Sequence, residues 1–326
     1  MISTDFFMGE NKYEYYFLCY KLVILVTGSS GFVGEVLVAK LMSLGYDVIG
    51  IDHSKGKYTT KIIDITKPFT IDEKIDGVFH LAAKLVHHRS SYKEYYATNA
   101  IGTKNVLEVA LHHQAFFVYV STNAVYGSPN GPMTEDTEIA PLDGYAKTKF
   151  QGEKICKEYE EKGLKTAIVR PSVIIGEKRL GLYTIIFKNL YNNSPVQILG
   201  NGENKVSFVN VNDLCSFLIF LMEKKISPIT VNFGGKIPGT LNFVINELKK
   251  HTKSTSKINH ISLKFLPFLK ILAKLKIIPV TDWQLSVMYK DFFSEDNLLM
   301  STGYVYKYDP IDALKEMADY YKSNLL

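Results

Sequence analysis

The stretch Lys21-Leu22-Val23-Ile24-Leu25-Val26-Thr27-Gly28-Ser29-Ser30-Gly31-Phe32-Val33-Gly34 decides the fold. Leu22 to Val26 form an apolar run without alternation, as in a strand buried on both faces. The run breaks into glycines and resumes with helical spacing at Val36, Leu37, Leu41 and Leu44. Strand, tight loop and helix are the context that a dinucleotide-binding loop requires. In it, Gly28 is placed to take a positive φ, Gly31 to let the backbone approach a pyrophosphate, and Gly34 to let helix and strand pack closely. The start of the helix, with Ser30, Phe32 and Val33, offers unpaired N–H groups to the anion.

The next apolar run, DVIGID (47–52), ends on Asp52, 21 positions after Gly31. A carboxylate there suits the ribose hydroxyls and repels a 2′-phosphate, which favours NAD over NADP. Further runs follow at 77–83, 116–122 and 166–176, with helix-like segments between several of them. The alternation predicts an α/β chain with a Rossmann-type, doubly wound parallel sheet. After Gly176 the rhythm changes, and a smaller, mostly helical C-terminal substrate domain is expected. We divide the chain into an N-terminal extension (1–20), an NAD-binding domain (21–176, with 206–235 returning to it) and a substrate-binding domain (177–205 and 236–326).

Hydrophobic residues make up 46% of the chain, enough for a sizeable core. The net charge of +5 is dispersed and suits anionic small molecules or lipid headgroups at least as well as nucleic acid, without choosing among them; no nucleic-acid partner is expected. Cys19, Cys156 and Cys215 lie far apart, which argues against a zinc site or disulfide framework and for a reducing, cytoplasmic compartment. Residues 1–20 lack the basic start and apolar run of a secretion signal and read as an arm without a catalytic part.

Tyr145 and Lys149 stand four apart in a helical stretch, so their side chains share a face. An ammonium beside a phenol favours the phenolate, the form able to act as a base. With the glycine loop, and with HLAA (80–83), Asn99 in NAIGTKNVLE, STNAVYG (121–127), YAKTK, RP (170–171) and GNGENKVSFVNVNDL, the chain resembles the NAD-dependent epimerase/dehydratase family of the extended short-chain dehydrogenases/reductases, from about Lys21 to about Tyr321. The resemblance implies that Tyr145 takes a proton from a substrate hydroxyl held by Thr122, and that Lys149 also holds the nicotinamide ribose. It places Asp64 and Ile65 at the adenine, and Leu81, Ala82, Ala83, Lys84 and Pro171 along the cofactor cleft. For Asn99 a place beside the cofactor and a helix-capping role are both open.

Dehydratases of the family carry an Asp-Glu pair after the catalytic threonine; here Asn123-Ala124 stand there, which points toward epimerisation, at C4 in the family's usual manner, or toward simple hydride transfer. The Arg-Asp pair by which soluble nucleotide-sugar epimerases clamp a pyrophosphate is replaced by Val206-Ser207, with Lys205 adjacent. The expected substrate is a sugar on a diphosphate carrier, nucleotide or polyprenyl, and the alternative is a hydrophobic alcohol or ketone handled by a dehydrogenase. Lys178, Arg179 and Lys188 are candidates for the diphosphate, although each also reads as an ordinary solvated cation. His87, His88 and Arg89 lie where they could touch substrate, and no metal site is expected. In ISLKFLPFLKILAKLKIIPV (261–280), apolar residues interleave with lysines, a pattern open either to packing on the substrate domain or to peripheral membrane contact. The resemblance also implies a homodimer.

Overall fold

The computed structural model describes residues 21–85, 90–129, 131–179, 181, 183–275, 277–278, 280, 284–285 and 288–326. The N-terminal arm with Cys19, the His87-His88-Arg89 group and Lys276 therefore lie outside the described residues. Seven strands form one parallel sheet: β1 (Val23–Thr27), β2 (Asp47–Asp52), β3 (Lys61–Ile62), β4 (Gly77–His80), β5 (Phe116–Val120), β6 (Thr166–Pro171) and, late in the chain, β10 (Ile229–Phe233). Their spatial order is β10-β6-β5-β4-β1-β2-β3. The chain builds outward from β1 in one direction, then returns to β4 and builds in the other. That reversal leaves a crevice at the carboxyl ends of β1 and β4, where open α/β sheets bind ligands.

Helices cover both faces because the strands are apolar on both. On one side α1 (Phe32–Ser43) and α6 (Val211–Glu223) bury Leu37, Leu41, Leu214 and Leu218 against Ile24, Val26 and Val118. On the other, α3 (Thr103–His113) and α4 (Gly144–Glu161) bury Val106, Leu107, Cys156 and Tyr159 against Leu25, Phe117 and Ile168. Both described cysteines are buried and unbridged.

The apolar run 166–176 is not one strand. Its second half, β7 (Val173–Ile175), leaves the sheet after Ser172 and pairs with β9 (Phe208–Asn210). A second ladder joins β8 (Val196–Leu199) to β11 (Ile258–Ile261). Around these ladders α5 (Tyr183–Tyr191), α7 (Leu241–His251) and the terminal helix Pro310–Leu325 share a separate core of Phe187, Leu190, Val244, Ile245, Leu314 and Met317. A large cavity opens between this smaller core and the sheet's carboxyl edge. Among the described residues no helix is long and apolar enough to cross a membrane, and no cluster of His, Cys, Asp or Glu could hold a metal ion.

Candidate active site

Gly28 takes a φ of +75°, a conformation rarely open to residues with a Cβ. Gly34 in the first turn of α1 lies so close that a Cβ there would stand 2.0 Å from the Gly28 oxygen. Gly31 is the N-cap of α1 and supplies no side-chain hydrogen bond, so the first N–H groups of the helix have no side-chain cap there, the condition under which a helix start binds an anion. Asp52 ends β2 almost fully buried. Its carboxylate accepts N–H groups from Ser30 at 3.1 Å and Ser54 at 3.2 Å and meets His53 Nδ1 at 2.7 Å. Burial opposes its charge, but the bonds from Ser30 and Ser54 and the nearby His53 together hold its pKa below the usual carboxylate range. The loop, the helix start and this ionised strand-end carboxylate fit a dinucleotide with free ribose hydroxyls.

The candidate catalytic residues all follow β5, between it and β6. After β5, Thr122 is extended and its Oγ1 accepts the Ala124 N–H at 3.2 Å, capping a short turn over Asn123–Tyr126. Asp143 caps α4 by accepting the Ala146 N–H at 2.8 Å, which sets Tyr145 in the first turn and Lys149 one turn later. Val33, Leu81, Ala83, Thr122, Tyr145, Lys149 and Pro171 all line one cavity of about 760 Å³. Burial pushes the Tyr145 phenol up to about 12, while the charge of Arg179 and a hydrogen bond with Thr122 work the other way. Lys149 is 1% exposed, with its Nζ 4.1 Å from the centre of the Tyr119 ring. Burial lowers its pKa to about 7, the nearby Glu153 acting in the opposite sense.

In the folded, NAD-free protein Lys149 releases its proton near pH 7, whereas an unfolded lysine keeps it to about 10.4. Between those values the unfolded chain holds more protons, so raising the pH from 7 to 9 stabilises the fold by up to about 1.4 kcal/mol per unit through this group. In urea titrations Lys149→Met should lose that increment relative to the wild type. Parallel pH dependence in the two proteins would contradict it.

The other sequence-derived positions separate into those on the cavity and those behind it. Asp64 is exposed, its Oδ1 accepting from Thr66 N–H at 3.0 Å and Thr66 Oγ1 at 2.7 Å; Ile65 is buried, with its carbonyl bonded by Asn105 at 2.8 Å. Ala82 donates its N–H to Thr27 Oγ1 at 3.1 Å, and the Lys84 ammonium turns toward Glu94 at 3.7 Å. Asn99 caps no helix. Fully buried in a π-helical turn, Ala97–Gly102, it bonds the Lys84 N–H at 2.8 Å, the Lys84 carbonyl at 3.2 Å and Thr148 Oγ1 at 3.1 Å. It thereby ties the loop after β4 to α4 beside Lys149. Of the candidate diphosphate contacts, Arg179 lines the cavity with its guanidinium 5.8 Å from the Phe32 ring centre, Lys178 faces Glu35 at 3.7 Å, and Lys188 is exposed.

Two buried networks were not anticipated. His80 Nε2 stands 2.9 Å from Thr103 Oγ1 and Nδ1 stands 2.6 Å from Thr27 Oγ1. Thr103 gives its hydroxyl proton to the Asn99 carbonyl, so it accepts from His80 Nε2–H, and Thr27 donates to Nδ1. Burial depresses the His80 pKa well below the ordinary value, in keeping with this neutral tautomer. In the second network Arg170 holds Glu153 with two bonds, 3.0 and 2.6 Å, and donates to the Tyr126 hydroxyl at 2.7 Å; Tyr126 donates to Asn232 Oδ1 at 2.8 Å. The one available signal was Glu153 four residues after Lys149.

A family model described as the NAD dependent epimerase/dehydratase family matches residues 24–234, and the chain belongs to that family of NAD-dependent enzymes. It is 30% identical over 315 residues to y4nG, an uncharacterized protein of Sinorhizobium fredii (strain NBRC 101917 / NGR234), covering 92% of this chain and 78% of the relative. It is 30% identical over 243 residues to YtcB of Bacillus subtilis (strain 168), described as an uncharacterized UDP-glucose epimerase, covering 65% of this chain and 76% of that one. In fold it is similar to the crystal structure of UDP-glucuronic acid 4-epimerase from Bacillus cereus in complex with NAD, with a TM-score of 0.74, 24% identity, and coverage of 93% and 99%.

Proposed function

We propose that this protein is an NAD-dependent sugar 4-epimerase whose substrate carries its sugar on a diphosphate, by transient oxidation with Tyr145 as base. The observation that carries the reading is the meeting of Thr122, Tyr145 and Lys149 in one cavity whose described lining holds no Asp or Glu. Elimination of water needs an acid and a base of its own, and the lining offers neither beyond the tyrosine and the lysine. NAD held at the Gly28–Gly34 loop would accept the substrate's hydride and return it. Tyr145 takes the hydroxyl proton as the carbonyl forms and gives it back when the hydride returns to the opposite face. Thr122 holds the reacting oxygen, and the ammonium of Lys149 stabilises the tyrosinate.

The cavity's walls are mainly apolar, Ile185, Ile186, Ile198, Ile245 and Phe292 among them. Val206, at the place of the family's clamping arginine, is part of that wall, so Arg179, the cation besides Lys149 among the described lining residues, would face the diphosphate. Asn123, beside Thr122 on the cavity wall, donates its Nδ2–H to Ser294 Oγ at 3.3 Å.

Incubation with UDP-sugars and a polyprenyl-diphosphate sugar, read by NMR, should give products inverted at C4 without net NADH. The apolar walls favour a second reading, dehydrogenation of a hydrophobic alcohol. Steady accumulation of NADH, with no inverted sugar, would replace the first reading with the second.

A further inference from the structure

Helix α8 (Leu266–Lys274), with the turn Leu263–Phe265 before it, is apolar on two opposite sides. One side, Leu266, Leu269 and Ala273, packs with Leu199, Leu285, Ile261 and Tyr289. The other carries Phe265, Phe268, Ile271 and Leu275, spaced three, three and four apart, and together with Ile277 these side chains are 55 to 64% exposed. A helix apolar all round is ordinarily buried all round, and a contiguous exposed apolar stripe marks a surface that meets something apolar.

The surrounding charge says what that is. From Lys257 to Val280 the sequence holds five lysines, at 257, 264, 270, 274 and 276, and no aspartate or glutamate. The side chains of Lys257, Lys264 and Lys274 are exposed. A second copy docking on this face about a twofold axis would set lysines against lysines. An anionic lipid surface satisfies both features, with acyl chains taking the stripe and headgroups the lysines.

We infer that the outer face of α8 docks this protein on anionic membranes. Leu199 belongs both to the cluster beneath α8 and to the cavity wall, so docking would hold the substrate cavity close to the lipid surface. Resting on the epimerase reading, it follows that the sugar is presented on a membrane-borne, lipid-linked diphosphate. The docking itself does not depend on that reading.

Sedimentation of the whole chain with vesicles tests it, because it measures binding without turnover. Phosphatidylglycerol–phosphatidylcholine vesicles should retain at least about tenfold more protein than phosphatidylcholine alone, with retention falling as salt rises. Phe268→Glu with Leu275→Glu should lower retention about tenfold while NAD binding is unchanged. Should that pair fail to bind NAD, Lys264→Glu with Lys274→Glu replaces it, with the same expected loss. Equal retention on both vesicle types, unchanged retention in the variants, or a concentration-dependent dimer abolished by the first pair without vesicle binding would each overturn the inference. Failure here leaves the Tyr145 chemistry untouched, and absence of epimerase turnover leaves the docking measurement standing.

Discussion

Tyr145→Phe is expected to lower turnover by at least about a hundredfold while the protein still binds NAD, the scale of a general base's contribution. Removing the hydroxyl leaves the ring to fill its place on the cavity wall, so the loss should fall on the chemical step. The phenol cannot serve as a base unaided, because burial pushes its pKa up to about 12. Its surroundings oppose this: the charge of Arg179 and a hydrogen bond with Thr122 already lower it, and a nicotinamide cation would add to both. Phenylalanine keeps the shape and discards the titrating group. The dinucleotide contacts expected at Gly28, Gly31 and Asp52 lie on other strand ends, so bound NAD released on denaturation should match the wild type. Wild-type turnover by product NMR would remove Tyr145 from the mechanism.

The parts of this site that were legible in the sequence are those set by local spacing. The loop Gly28–Gly34 declares itself between an unbroken apolar run and a helical pattern, and Tyr145 and Lys149 share a face through their separation alone. What stayed hidden depends on residues brought together from far apart. Tyr126 meets Asn232 across 106 positions, and His80 meets Thr27 across 53. Nothing in the local pattern of either partner announces the other. The run 166–176 looked continuous because both halves are apolar, yet Ser172 separates a strand of the main sheet from one that pairs elsewhere; periodicity cannot distinguish two buried strands from one. Likewise the alternation of apolar residues and lysines in 261–280 left two readings open. The contact of Leu266, Leu269 and Ala273 with Leu199 and Leu285 shows one side covered, and the exposure of Phe268 and Leu275 shows the other bare.

The second large effect is expected on stability, from Arg170→Met. Arg170 and Glu153 are each less than a tenth exposed, and their paired bonds join β6 to α4 directly behind Lys149. Taking two charges out of water is costly, and only their mutual geometry offsets it. Here the geometry is good: the guanidinium meets both carboxylate oxygens, its Nη1 donates to the Tyr126 hydroxyl, and Ser121 adds a hydroxyl to Glu153. Methionine in place of Arg170 fills much of the volume but leaves the Glu153 carboxylate buried with Ser121 as its remaining side-chain donor. Breaking one side of such a pair should lower unfolding stability by about 3–5 kcal/mol in urea melts. Glu153→Leu in the same chain removes the stranded charge and should recover most of the loss, since a well-packed apolar pair can replace a buried ion pair at little net cost. If the single variant melts with the wild type, the ion pair is not what holds α4 against β6; if the double variant is no better than the single, the loss comes from packing rather than from the stranded carboxylate.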